Sequence, residues 1–172
     1  IKSTGGAILI LLMVGALAGT WLISGIIPSM IYYGLQILNP TIFLAACLVI
    51  CAIISIATGS SWTTSATVGI ALIGIGDALG ISPGMTAGAV LSGAYFGDKM
   101  SPMSDTTNLA PAMAGGELFA HIKYMTYTTV PTILVTLVFF LILGFSLDTS
   151  GTADTAQLLV DIEKAFNVNI WV

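Results

Sequence analysis

TIFLAACLVICAIISIA (Thr41–Ala57) runs straight into TGSSWTT (Thr58–Thr64): seventeen residues without a charge, then seven of which five carry hydroxyls. A segment of the first kind is about as long as a helix needs to be to cross a bilayer. The second kind breaks that helix. In hydrocarbon every backbone N–H and C=O must find a partner inside the protein, so such a break survives only where it is buried or lines a polar cavity. The pair reads as a membrane helix that stops at a polar discontinuity.

The surroundings extend the pattern. No Asp, Glu, Lys or Arg occurs between positions 3 and 76. At helical rise that is on the order of 110 Å of apolar chain, enough for roughly three crossings of a ~30 Å core. Across all 172 residues 56% are hydrophobic and 7% charged, whereas a soluble domain carries about 25% charged residues. That balance excludes a soluble enzyme, a disulfide-stapled secreted domain and a nucleic-acid binder, which needs basic residues this acidic chain lacks. Cys47 and Cys51 lie four apart in the apolar run, on one helical face, and read as packing residues.

Further breaks are expected. GTWLISGIIP (Gly19–Pro28) interrupts a first hydrophobic stretch, Gly5 to Leu38, with Pro28 removing a backbone donor and Gly19 and Gly25 loosening the helix. Asn39-Pro40 marks a turn. A run from Ala66 to Leu79 exits through Gly80 to Pro83, and Gly84 to Gly97 reads as a short helix leading into GDKMSPMSDTTN (Gly97–Asn108). After Gly115-Gly116 a last span covers about Phe119 to Phe145. Glycine pairs four apart (15/19, 76/80, 84/88, 93/97) are expected to let neighbouring helices approach closely. Trp21 and Trp62 fall within breaks, where each lines or plugs a cavity. Glu117, His121 and Lys123 flank the last span.

The predicted organisation is a partial transmembrane transport domain over 1–147. Residues 148–172 follow as an amphipathic extramembrane linker, with a stripe of Leu158, Leu159, Ile162 and Phe166 and five of the twelve charges. The terminal NVNIWV (Asn167–Val172) turns apolar again and leads toward a next span, so the chain reads as an internal piece of a longer membrane protein.

The chemistry concentrates in Gly97–Asn108. Asp98 and Asp105 are carboxylates in an otherwise apolar region, separated by Pro102. A carboxylate at the bilayer centre costs about 2.5–3.5 kcal/mol and is rarely there without a role. A carboxyl group withdrawn from water can hold a proton or exchange it for a cation. Asp105, Thr106, Thr107 and Asn108 add oxygens in succession, and Thr58, Ser60, Ser61, Thr63 and Thr64 supply more from the other break. Hard cations prefer such oxygen shells. Three plainer roles stand beside this one: Asp105 as a helix N-cap for Thr107 or Asn108, Asp98 paired with Lys99 at a membrane surface, and the Ser/Thr cluster as a cap bonded to neighbouring helices.

With these residues in view, the chain resembles the NhaC family of Na+/H+ antiporters. The matching stretches are GTWLISGIIPSMIYYGLQILNP (Gly19–Pro40), ATGSSWTTSATVGIALIGIG (Ala57–Gly76) and SGAYFGDKMSPMSDTTNLAP (Ser92–Pro111), with LFAHIKYMTYTTVP (Leu118–Pro131) a weaker fourth. The resemblance implies an all-α polytopic membrane protein with broken or re-entrant helices, of which this chain would be the first half of an inverted-repeat secondary transporter. It implies a multi-pass protein of the cytoplasmic membrane that is not an enzyme and exchanges Na+ for H+ by alternating access, the ions being cargo and no cofactor being needed. The same family includes malate/lactate exchangers, so an ion-coupled organic-acid exchanger is the alternative. Ion-path residues implied are Asp98, Asp105, Thr106, Thr107 and Asn108, with Ser60, Ser61, Thr63 and Thr64 as second contributors and Na+ held at Asp98, Asp105, Thr106 and Asn108. Expected partners are the lipid bilayer and the transporter's remaining half. A homo-oligomer is compatible with this picture, and nucleic acid is not.

Overall fold

A computed structural model describes residues 2–37, 39–147, 155–166 and 168, and among them every regular element is a helix. In chain order these are α1 (Lys2–Ile23), α2 (Ile26–Ile37), α3 (Pro40–Thr58), α4 (Ser61–Ala66), α5 (Val68–Ala78), α6 (Pro83–Met100), α7 (Asp105–Ala114), α8 (Leu118–Ser146) and α9 (Thr155–Ala165). Helices α3 and α8 are each long and apolar enough to cross a membrane, and the bent pair α1/α2 adds a third crossing if it forms one span. The 29 residues of α8 extend about 44 Å, so this helix tilts or runs beyond a ~30 Å core.

Helix α3 is central, packed on α6 and α8. Its start is built from local chemistry. The Asn39 side chain accepts from the Thr41 N–H at 3.0 Å, and Pro40 opens the helix, where its missing donor costs nothing. Its end is Gly59, whose φ of 70° is left-handed and whose N–H bonds back to Ser55 O. Phe43, Leu44, Cys47, Leu48 and Cys51 of α3 are buried against Leu72 and Ile75 of α5, Ala89, Val90 and Ala94 of α6, and Phe140 of α8. Both cysteines are therefore packing residues, as expected from their spacing, and both are free thiols.

The α3–α6 contact is made backbone to backbone. A Cβ on Gly97 would lie 2.5 Å from Ala52 O and from Ser55 Cβ, and one on Gly93 would overlap Leu48 O. With the backbones this close, the Ser55 hydroxyl donates to Ala94 O on α6 at 2.6 Å. Lipid tails are as apolar as the side chains, so helix association inside a membrane rests on close packing and on such bonds, each about 0.6–2 kcal/mol. Not every glycine pair works this way. Gly15 and Gly19 have nothing within 4 Å, and Gly84 and Gly88 meet only Ser82 and Phe140 at 3.7 Å. Spacing places a pair on one face but does not bring a helix to that face.

The first break sits at Gly25 (φ 91°), between α1 and α2, with a bend of 70°. Pro28 is not its cause. It lies in the first turn of α2, where backbone N–H groups have no intrahelical acceptor and a missing one is tolerated. Helix α9 packs on α2, with Phe166 beside Gly25. The boundary between 147 and 148, the side chain of Leu158 and most of Asn167–Val172 lie outside the described residues.

Candidate functional site

Two of the breaks meet. The α3–α4 break, Gly59 and Ser60, faces the α6–α7 break, residues 101–104. A Cβ on Gly59 would fall 2.6 Å from the carbonyl carbon of Met103, so glycine is required here both by its left-handed φ and by the approach of a second backbone. The fully buried Ser101 hydroxyl donates to Ile56 O at 2.7 Å and accepts from Met103 N–H at 3.2 Å, tying the second break to the last turn of α3.

Asp98 stands at this junction, in the last turn of α6, which extends to Met100 and so carries Asp98 on the helix itself. The carboxylate is half-buried, and its Oδ2 accepts from the Ser61 hydroxyl at 2.9 Å. Ser61 is 2% exposed and opens α4, whose N-cap is Ser60, accepting from Thr63 N–H at 3.2 Å. The backbone carbonyl of Asp98 accepts from the Thr107 hydroxyl at 3.1 Å, and that hydroxyl is shared with Lys99 O at 3.2 Å. The Asp98 Oδ1 atom makes no hydrogen bond, and no ion pair joins Asp98 to Lys99 among the described residues.

The remaining candidates divide into two groups. Thr63 and Thr64 are held within α4: the Thr63 hydroxyl donates to Ser60 Oγ at 3.1 Å, and the Thr64 hydroxyl donates to Ser60 O at 2.9 Å beside Thr58 Oγ1 at 3.4 Å. Asp105, Thr106 and Asn108 are exposed on the first turns of α7. The N-cap of α7 is Ser104, whose Oγ accepts from Thr107 N–H at 3.4 Å and lies 3.0 Å from Thr106 Oγ1. Asp105 is the first helical residue and accepts from the next N–H, of Thr106, at 2.8 Å. Asn108 donates its amide to Pro102 O at 2.6 Å and Ser104 O at 2.7 Å, which fixes the side-chain orientation. Pro111 inside α7 has no N–H to give the Thr107 carbonyl four residues earlier. The structure thus brings Ser61, Asp98 and Thr107 together at the crossing, while Asp105, Thr106 and Asn108 form its exposed rim.

Chemically, the crossing offers one carboxylate oxygen held by a hydroxyl and one without a partner, beside two helix ends. Such a group can take a proton or a small hard cation at the same atom. Among the described residues no group of three His, Cys, Asp or Glu is placed to hold a metal.

Comparison with known proteins bears on the same segment. A model of the Na+/H+ antiporter family matches residues 93–172, which begin in α6 just before Asp98. The chain is 47% identical to the Na+/H+ antiporter NhaC of Alkalihalophilus pseudofirmus over 95% of its length, and 45% identical to NhaC of Bacillus subtilis over 99%. Over nearly its whole length the chain is a homologue of the NhaC Na+/H+ antiporters. It is also 46% identical over 96% of its length to the malate-2H+/Na+-lactate antiporter of Bacillus subtilis. The chain spans 35%, 38% and 36% of the lengths of these three relatives, in that order. No solved structure matches it. A homologue of these antiporters, with helices apolar enough to span a bilayer, it is a multi-pass protein of the cell membrane.

Three further residues shape the crossing beyond those expected from the sequence. Ser55 and Ser101 each make an inter-element hydrogen bond, and Ser104 takes the cap position considered for Asp105. The available signal was a polar residue alone in an apolar helix, for Ser55, and a serine three residues before Thr107, for Ser104. Trp62, considered as a cavity plug, is 63% exposed.

Proposed function

We propose that the protein to which this chain belongs is a secondary antiporter that exchanges Na+ for H+ across the cytoplasmic membrane by alternating access. It acts as a transporter and not as an enzyme, carries its two ions as cargo and uses no resident cofactor. The observation that carries this reading is the half-buried Asp98 carboxylate, anchored through Oδ2 to Ser61 across two helix breaks and open at Oδ1. Discontinuous helices that meet around a polar group are the recurring way secondary transporters expose a site to one side of the membrane and then to the other. Helices α3 and α6, locked by Gly93 and Gly97, would move as one body, and Asp98 would exchange its proton for Na+ in each half-cycle. Asp105, Thr106 and Asn108 would receive the ion at the rim. The bilayer and the remainder of the transporter complete the cavity.

Competition at one atom gives the test. In everted vesicles containing the intact transporter, the Na+ concentration for half-maximal dissipation of a pH gradient should rise as pH falls, by up to about tenfold per unit. Asp98→Asn should abolish exchange while the protein still inserts; unchanged exchange overturns the reading.

A second reading is an ion-coupled exchanger of organic acids, favoured by the 46% identity to a malate-2H+/Na+-lactate antiporter. Radiolabelled malate uptake, with and without Na+, separates the two.

A further inference from the structure

Lys99 sits one residue past Asp98 on α6 but lines another space, a groove of about 330 Å3 between α6 and α8. Tyr95 and Phe96 stand beside it on α6, with Ile133 and a row of threonines opposite on α8. Lys99 and Tyr95 are exposed, and among the described residues neither the ammonium group nor the phenol hydroxyl has a partner.

The depth of this groove follows from the charges on α8. The run Tyr124–Ser146 carries none, and at helical rise it is about 34 Å long, close to the ~30 Å of a hydrocarbon core. Lys123 therefore marks one edge of the span. Next to it the exposed rings of Tyr124 and Tyr127 meet edge to face at 6.5 Å, as in the aromatic belt at a membrane interface. The Thr129 hydroxyl lies 3.1 Å from Met100 Sδ, which puts Lys99 level with Thr128 and Thr129, about 8 Å inside that edge. An unpaired cation at this depth is costly unless something anionic meets it.

From Lys99 the groove runs toward the middle of the span. The two helices are antiparallel, with Gly88 beside Phe140 and Met100 beside Thr129. Ser92 and Thr136 also line the groove, about 10 Å further from the edge than Lys99 and Thr129. Its walls leave no hydroxyl hydrogen unmet on that path. Ser92, Thr128, Thr129, Thr132 and Thr136 each donate to a carbonyl of their own helix at 2.7–3.0 Å, so hydrocarbon can lie against them without stranding a donor. Phe96 and Ile133 add apolar surface. The unmet donors are the Lys99 ammonium and the Tyr95 hydroxyl, one turn apart on α6. Two donors near the membrane edge, followed by an inward path that tolerates hydrocarbon, suit an amphiphile with an anionic head.

We propose that the α6–α8 groove binds an anionic phospholipid, its phosphate accepting from Lys99 and Tyr95 and the start of one acyl chain lying inward along Phe96 and Ile133. Basic pockets between membrane helices hold anionic headgroups in this way. The lipid neutralises Lys99 and braces α6, the helix that carries Asp98, against α8.

The experiment uses the intact transporter, purified in detergent and stripped of native lipid. Native mass spectrometry measures binding of phosphatidylglycerol and of phosphatidylcholine with the same chains, each with and without excess inorganic phosphate. Phosphatidylglycerol should bind at least about fivefold more tightly than phosphatidylcholine, and inorganic phosphate should not displace it. Lys99→Met should remove the preference, Lys99→Arg should keep it and Tyr95→Phe should reduce it. Ile133→Trp leaves both donors in place but fills the groove, and should block binding. Lys123→Met should leave the preference intact; a loss equal to that of Lys99→Met would indicate diffuse surface charge and overturn the groove. A preference that survives Lys99→Met, or displacement by inorganic phosphate, also overturns the proposal. So does the absence of bound phosphatidylglycerol, which would mean that the rest of the transporter covers the groove.

Discussion

The Ser61 hydroxyl donates to the Asp98 carboxylate at 2.9 Å across 37 positions of sequence, and this bond couples the N-terminal end of α4 to the C-terminal end of α6. It is charge-assisted, the class that contributes about 1.5–3 kcal/mol. Ser61→Ala should leave the helices packed, because the Ser101–Ile56 and Ser55–Ala94 bonds remain, but should free the carboxylate to turn. The expected outcome is an apparent Na+ affinity weakened by about tenfold, that being ~1.4 kcal/mol, with the maximal exchange rate less affected. Ser61→Thr keeps the hydroxyl and should restore affinity. Vesicle exchange measured over a Na+ titration separates the two variants, and equal affinities would remove Ser61 from the site.

Gly97 and Gly15 look alike in sequence, each a member of a four-residue glycine pair, and differ in surroundings. A Cβ at Gly97 meets Ala52 O at 2.5 Å and the backbone N of Ile56 at 2.7 Å, whereas one at Gly15 meets nothing within 4 Å. Neither neighbour of Gly97 is the end of a flexible side chain, so α3 and α6 must separate to admit a methyl group. Gly97→Ala should lower the thermal midpoint of the detergent-purified transporter, with a cost of about 1–3 kcal/mol. Gly15→Ala should leave it unchanged or slightly higher, since alanine favours the helix. A thermal-shift comparison checks both.

Asp98 and Asp105 differ in burial, and their substitutions should differ accordingly. Asp105 is exposed and its Oδ1 already accepts from the Thr106 N–H at 2.8 Å. Asparagine keeps that acceptor, so Asp105→Asn should preserve the start of α7 and remove only a solvent-screened charge. Weaker Na+ capture at low Na+ and near-normal exchange at saturating Na+ are expected. Asp98→Asn should instead abolish exchange at every Na+ concentration. If Asp105→Asn proves as severe as Asp98→Asn, the rim carries the ion as directly as the crossing does.

Apolar run lengths in the sequence placed the membrane-crossing helices, while the contacts between helices left little trace in it. The span expected over Thr41–Ala57 is α3, Pro40–Thr58, and the one expected over Phe119–Phe145 is α8, Leu118–Ser146. Apolar run length and flanking Asn, Pro and Gly determine those ends, and all are local. The hydroxyl-rich break after Thr58 was legible for the same reason. The chemistry of its oxygens linked that break to Asp98, but the contact with residues 101–104 was not legible, because it is decided by Gly93 and Gly97 lying flat on α3, and four-residue spacing does not name the partner helix. The N-cap role weighed for Asp105 falls one position earlier, on Ser104, whose short side chain reaches the N–H of Thr107 from outside the first turn. Of the three residues expected to break the first stretch, Gly25 makes the bend, whereas Pro28 is accommodated in the first turn of α2.

Ser29 of α2 is buried, 6% exposed, and its Oγ is a buried side-chain oxygen with no hydrogen-bond partner among the described residues. A hydroxyl removed from water without a partner costs about 1–3 kcal/mol, and serine favours a helix interior less than alanine does. If α2 is packed in the intact transporter as it is here, Ser29→Ala should stabilise the protein, raising its thermal midpoint with no loss of Na+-driven exchange. The opposite result, a lower midpoint together with impaired exchange, would mean that the hydroxyl meets a polar group or an ion supplied by the assembled transporter. The bent α1/α2 pair would then belong to the transport path and not only to the scaffold. Thermal-shift and vesicle measurements on the same preparation decide between these outcomes, because a purely structural hydroxyl moves the first and leaves the second unchanged.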